Sequence, residues 1–97
     1  MDGNSPYNAP ILTNKITVND VGTTINCDGV INEYEEFLFD NVGSKEILIT
    51  IGTAVIKLQA GMYISIIQDV VTSVNVKTNA GETSTLVYCF QGYSRLV

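Results

Sequence analysis

Histidine is absent from all 97 residues, basic side chains number only five, and cysteine and proline occur twice each. Without imidazole there is no Ser-His or Cys-His relay, and the commonest ligand of zinc and haem is missing. Five scattered basic groups against ten acids leave a formal charge of -5. That excludes a groove tracking a phosphate backbone, so no nucleic-acid partner is expected. The acidity is uneven: residues 1–48 carry -6 and residues 49–97 carry +1. Ordinary solubility accounts for this, and so does a partner presenting positive charge. Phosphate-loop and dinucleotide motifs are absent, and Gly43, Gly52, Gly61 and Gly92 read as isolated turn residues. No basic start precedes a long apolar run, and the apolar tracts are too short for a bilayer. A soluble chain with no signal peptide and no membrane partner is expected.

Cys27 and Cys89 fall in different candidate strands and lack metal-site or redox-motif spacing. One cross-chain disulfide and two buried reduced thiols are both compatible with that placement, since a free thiol packs as a small hydrophobe. Neither has an evident activating neighbour, so both are read as structural.

What the chain does contain is β texture: short β-branched and aromatic runs broken by glycine and asparagine. Apolar residues make up 45% of the sequence, enough to line one core. A chain of this size buries roughly two-thirds of its extended surface and has modest stability, which oligomerisation would supplement. Residues 1–10 hold Pro6, Pro10, Gly3, Asn4 and Asn8 around a lone Tyr7, which reads as an extended amino-terminal arm; residues 11–97 read as a single β domain. Candidate strands run over 15–19, 23–27, 35–39, 45–51, 54–58, 62–67, 70–78 and 84–90, with turns at 20–22, 28–29, 40–44, 52–53, 60–61 and 79–82. About eight short strands with short links predict an all-β fold, a compact antiparallel β-sandwich or jelly-roll-like domain.

Alternation assigns the faces. Ile47, Ile49 and Ile51 point one way and Glu46 and Thr50 the other, with Leu48 breaking the polar set as if that strand were covered on both sides or lay near a subunit contact. Val70, Val74 and Val76 form a second apolar row, and Leu86, Tyr88 and Phe90 a third. The simplest pairing makes 70–78 and 84–90 an antiparallel hairpin across the 79–82 turn. Tyr34 to Asp40 admits a rival helical reading because Phe37, Leu38 and Phe39 are contiguous.

The acids Asp28, Glu33, Glu35, Glu36 and Asp40 include carboxylates of the kind that serve as glycosidase acid and base, but no aromatic-lined groove accompanies them, and acids on a strand usually face solvent. Calcium suits the oxygen-rich stretch Asp28 to Glu33 better, although its spacing is not that of an EF-hand and an acidic surface loop is the plainer reading. Tyr34, Tyr63, Tyr88 and Tyr93 lack the lysine track of a nucleic-acid stacking surface and read as core edges or protein-contact residues.

The segments Ala60-Gly61-Met62-Tyr63-Ile64-Ser65-Ile66, Val74-Asn75-Val76-Lys77-Thr78 and Tyr88-Cys89-Phe90-Gln91-Gly92-Tyr93 resemble the small β domains of tailed-bacteriophage virions, above all capsid-decoration and head-fibre proteins. The likeness covers about the last half of the chain. It implies a non-enzymatic virion structural protein without cofactor or metal, a capsid decoration or head-fibre base bound to capsid protein and to copies of itself as a homotrimer. It would be assembled in the host cytoplasm and displayed on the virion surface. Under that reading Tyr7, Ile11, Tyr93 and Leu96 are the protein-contact candidates, because they combine apolar area with accessible termini. The ending Tyr93 to Val97 would complete an edge strand or pack as a terminal one. The alternative function is a carbohydrate-binding or receptor-binding β module, which the same fold class supports.

Overall fold

The computed structural model describes residues 11–27, 34–69 and 73–93. Eight strands follow in order: β1 (Ile11–Val18), β2 (Thr23–Asn26), β3 (Tyr34–Asn41), β4 (Ile47–Ile51), β5 (Ala54–Leu58), β6 (Tyr63–Asp69), β7 (Ser73–Thr78) and β8 (Ser84–Tyr93). They form two four-stranded sheets, ordered β1-β8-β3-β6 and β2-β7-β4-β5. Every pairing is antiparallel. The double-sheet arrangement with this interleaved order is a jelly roll.

All eight expected strands are present, and the helical alternative for residues 34–40 gives way to β3. Phe37 and Phe39 there are fully buried while Leu38 between them points outward, the period of a strand and not of a helix. The expected hairpin of 70–78 with 84–90 is corrected. β7 pairs with β2 and β4, whereas β8 pairs with β1 and β3. The link after Thr78 therefore crosses from one sheet to the other. Glu82 N–H donates to the Asn79 carbonyl at 3.0 Å and Thr78 Oγ1 donates to the Glu82 carbonyl at 2.5 Å, which tightens the crossing. What the arrangement achieves is burial: on facing sheets the two apolar rows cover each other. Val74, Val76, Leu86, Tyr88 and Phe90 are accordingly all buried. Val70 and Thr72 lie outside the described residues.

A tight hairpin does join β4 to β5, where Ile51 faces Ala54. Gly52 holds φ +60° in the first central position, the backbone that a type II′ turn demands of a residue without a Cβ.

The two sheets bring different side chains to the core. β3 and β8 contribute Phe37, Phe39, Tyr88 and Phe90, all buried. Phe37 pairs directly with Phe90 in register and meets it edge to face, with centroids 4.9 Å apart, and Phe39 meets Phe90 similarly at 5.3 Å. The facing sheet contributes Ile25, Ile47, Ile49, Ile51, Leu58, Val74 and Val76. We call these the aromatic sheet and the aliphatic sheet.

At one end Asn41 ties the sheets together. It is fully buried, and its side chain uses its whole hydrogen-bonding capacity: Nδ2 donates to the carbonyls of Lys45 (2.7 Å) and Leu58 (2.9 Å), while Oδ1 accepts from Gly43 N–H (3.1 Å) and Ser84 Oγ (2.9 Å). Three backbone groups and one hydroxyl, from the link after β3, from β5 and from β8, converge on one amide. Gly43 beside it has no room for a side chain, since a Cβ there would sit 2.2 Å from Ser84 Oγ and 2.4 Å from Thr85 N.

Candidate protein-contact faces

With the inward residues fixed, strand alternation sets the outward ones, and register arranges them in rows. On the aromatic sheet one row reads Lys15, Val87, Asp40, Tyr63 across β1, β8, β3 and β6. The next reads Thr13, Cys89, Leu38, Ser65, and a third carries Gln91, Glu36 and Ile67. This outer side is unusually apolar for a solvent-facing sheet: Tyr63 is 71% exposed, Ile67 66% and Leu38 37%, with half-buried Val87 and Cys89 between them. Among the described side chains its charges are Glu36 and Asp40 on β3 and Lys15 on β1. Glu36 accepts a hydrogen bond from Ser65 Oγ at 3.1 Å.

A shallow open depression of about 200 Å³ lies here, lined by Glu36, Leu38, Ser65, Cys89 and Gln91. Pockets that enclose a small molecule are larger, roughly 300–1,000 Å³. The depression is better matched to a single protruding side chain.

The aliphatic sheet presents a different outer side. Thr24, Asn75, Thr50 and Val55 form one row and Lys77, Leu48 and Lys57 the next. Leu48, the residue that breaks the alternation of β4, is half-buried because the two lysines stand on either side of it, one on each neighbouring strand. Long lysine stems cover apolar surface while their ammonium groups stay in water. Glu46 continues this side just before β4. Its carboxylate accepts from Asn79 Nδ2 at 3.1 Å and from Gln59 Nε2. The bonds from Asn79 and Gln59, with the charge of Lys57, hold its pKa below the usual carboxylate value against a smaller opposing effect of desolvation.

The expected contact residues fare unevenly. Tyr7 and Leu96 lie outside the described residues, as does the Asp28 to Glu33 segment weighed for calcium. Ile11 opens β1 opposite Gln91, and Tyr93 closes β8 opposite Tyr34, so the register brings them to the same end of the aromatic sheet. β8 is an interior strand, paired with β3 as far as Tyr93, and β1 and β6 are the edges of that sheet. Of the tyrosines, Tyr88 is core and Tyr63 is surface. Cys27 is buried, its Sγ near the Ile25 carbonyl at 3.7 Å, and Cys89 is half-buried on the outer side of the aromatic sheet; the two thiols are not joined to each other. Among the described residues no three metal-ligating side chains cluster, and no helix is long and apolar enough to cross a membrane.

The sequence marks Leu48 as a covered position or subunit contact, but not the Leu38 surface or the two lysines that flank Leu48 across the sheet. The signals were present in the run Phe37-Leu38-Phe39 and in the apolar break at Leu48, both marking strands with an apolar residue on each side.

No protein-family model and no curated protein matches the chain. Solved structures do resemble it. The plu4264 protein of Photorhabdus luminescens superposes with a TM-score of 0.54 at 18% identity, over 94% of this chain and 68% of that one. A protein of Bacillus endospore appendages, a family of disulfide-linked pili, superposes with a TM-score of 0.56 at 15% identity, over 94% of this chain and 95% of its own. At such identities the likeness is one of fold.

Proposed function

We propose that this domain is a non-enzymatic structural subunit that works by protein–protein contact, as a capsid decoration or head-fibre base on a virion surface. The observation that carries the reading is the outer side of the aromatic sheet, where Tyr63, Ile67 and Leu38 offer apolar area on adjacent strands. Contiguous exposed apolar area of this kind is characteristic of interaction surfaces. The virion setting comes from the sequence resemblance; the endospore-appendage neighbour, a pilus protein, adds that this fold also serves in extracellular assemblies. Repeated weak contacts on a lattice would retain the subunit through avidity.

Light scattering of the untagged protein, alone and with tailed-phage capsids, tests the proposal. Specific loading onto capsids, with the protein self-associated or as single copies, supports it. A monodisperse monomer that ignores them overturns it and brings forward the second reading, a carbohydrate-binding or receptor-binding module. Exposed Tyr63 directly opposite Asp40 favours that alternative, because a bare ring beside a carboxylate suits a sugar face and its hydroxyls. A glycan array decides it, with Tyr63→Ala abolishing any binding found.

A further inference from the structure

The outer sides of the two sheets each carry a leucine flanked by two like charges, and the charges are of opposite sign. On the aromatic sheet, Glu36, Leu38 and Asp40 follow one another along the outward positions of β3. On the aliphatic sheet, Lys57, Leu48 and Lys77 lie across three adjacent strands. Four residues of strand separate the acids by roughly 13 Å, and two strand spacings separate the lysines by roughly 10 Å. The acid line runs along its strands and the lysine line across its own, so the two superimpose when the sheets cross at about a right angle, one of the two standard ways in which sheets stack.

We propose that the occupant of the aromatic sheet's outer side is the aliphatic sheet of a second copy of this chain, with Leu38 against Leu48 and the two carboxylates against the two lysines. The proposal rests on the reading of the domain as an assembly subunit and names its partner. Among the described side chains two further charges must be placed. Glu46 is two residues from Leu48 along β4, and Lys15 shares the row of Asp40 on β1. One of the two crossing senses turns Glu46 toward β1 and so toward Lys15.

The contact joins unlike surfaces on opposite sides of one slab, so each copy added leaves a fresh pair of sides exposed. The product is an open column, not a closed ring. With about 10 Å between packed sheets, its rise is about 20 Å per copy. Each sheet side offers only about 400 Å², half of the roughly 800 Å² per partner in a stable pairwise interface. Single contacts are therefore weak, and the column appears only at high concentration or where a surface collects many copies.

A charge-swap experiment on the full chain tests this. Sedimentation velocity should show the mean mass of the wild type rising with concentration up to about 1 mM and falling back when salt is raised from about 0.05 to 0.5 M. Lys57→Glu/Lys77→Glu makes both sides acidic and Glu36→Lys/Asp40→Lys makes both basic. Each double variant should remain monomeric at the same concentration with an unchanged circular dichroism spectrum, and an equimolar mixture should assemble again as alternating copies. A wild type that stays monomeric, a swapped variant that assembles alone, or a folded pair that stays monomeric when mixed overturns the column. Capsid loading of the wild type is scored separately: loading without self-association removes the column alone, and self-association without loading removes the virion partner alone.

Discussion

The aromatic and aliphatic sheets have the same number of strands and are each antiparallel throughout, yet they use their side chains differently on both sides. Inside, one supplies all four described buried aromatics and the other supplies isoleucine, valine and leucine. Outside, one shows apolar side chains with two acids and a lysine, while the other shows threonine, asparagine and a single exposed valine, with two lysines around a half-buried leucine. The inner difference concerns stability, because large rings bury area that small branched chains then fit around. The outer difference concerns recognition, because the two exposed sides are complementary and not alike. If this division holds, substitutions inside should change stability with little regard for partners, and substitutions outside should do the reverse.

The sharpest test of the inner half compares Phe90→Ala with Ile49→Val. Phe90 touches Phe37, Phe39 and Tyr88. Its truncation should cost about 3–5 kcal/mol, against about 0.5–1.5 kcal/mol for one methylene in the opposite layer. Urea denaturation reads both. A domain of this size has only about 5–15 kcal/mol to lose, so the first variant should be close to unfolding at body temperature. Equal losses would mean that the aromatic layer is no more important than the layer facing it.

Next in size comes the polar join between the sheets. Asn41→Ala would leave two carbonyls and the Ser84 hydroxyl without their partner in a buried place, while Gly43 N–H keeps its bond to the Thr85 carbonyl, a cost of about 2–4 kcal/mol. Asn41→Asp should fare no better, because a carboxylate cannot donate to the Lys45 and Leu58 carbonyls. If thermal melts place Asn41→Asp within a degree or two of the wild type, the amide is not what ties the sheets together.

That join also marks where the sequence stops being readable. Strand positions could be read from alternation, since Ile47, Ile49 and Ile51 or Leu86, Tyr88 and Phe90 state their own period. Partner choice could not. Pairing of β7 with β2 and of β8 with β1 is non-local, and the short link at 79–83 looks the same whether it turns within a sheet or crosses between sheets. Asn41 was invisible for a related reason, because a polar residue after an aromatic strand looks like the start of a turn until Lys45, Leu58 and Ser84 are brought around it. The contact surface was sought at the termini, where Tyr7 and Leu96 offer apolar area. Leu38 and Leu48 lay inside strands whose neighbours across the sheet only the register reveals.

Those leucines provide the outer half of the test. Leu38→Ser and Leu48→Ser should each cost about 1 kcal/mol or less in stability, as neither side chain is in the core. Each should nonetheless abolish the concentration-dependent rise in mass. A large stability loss without an effect on association would reverse the roles assigned to the two sides of the sheets.

The smallest effect concerns Glu46, at the margin of the aliphatic sheet's outer side. Hydrogen bonds from Asn79 and Gln59 and the charge of Lys57 lower its folded pKa below the unfolded value. A lowered carboxylate pKa stabilises the fold above the unfolded pKa, and that contribution disappears as pH falls through the folded one. Glu46→Gln should therefore melt slightly below the wild type at neutral pH, with the gap closing as the buffer is taken down through and below the ordinary carboxylate range. Glu46 is only half-buried at the surface, so high salt should shrink the part due to Lys57 and leave the part due to the two amides. A gap that is independent of pH would assign the effect to side-chain shape. A gap that vanishes entirely in salt would make Glu46 one more surface charge, set by the lysines that surround Leu48 and not by the amides that hold it in place.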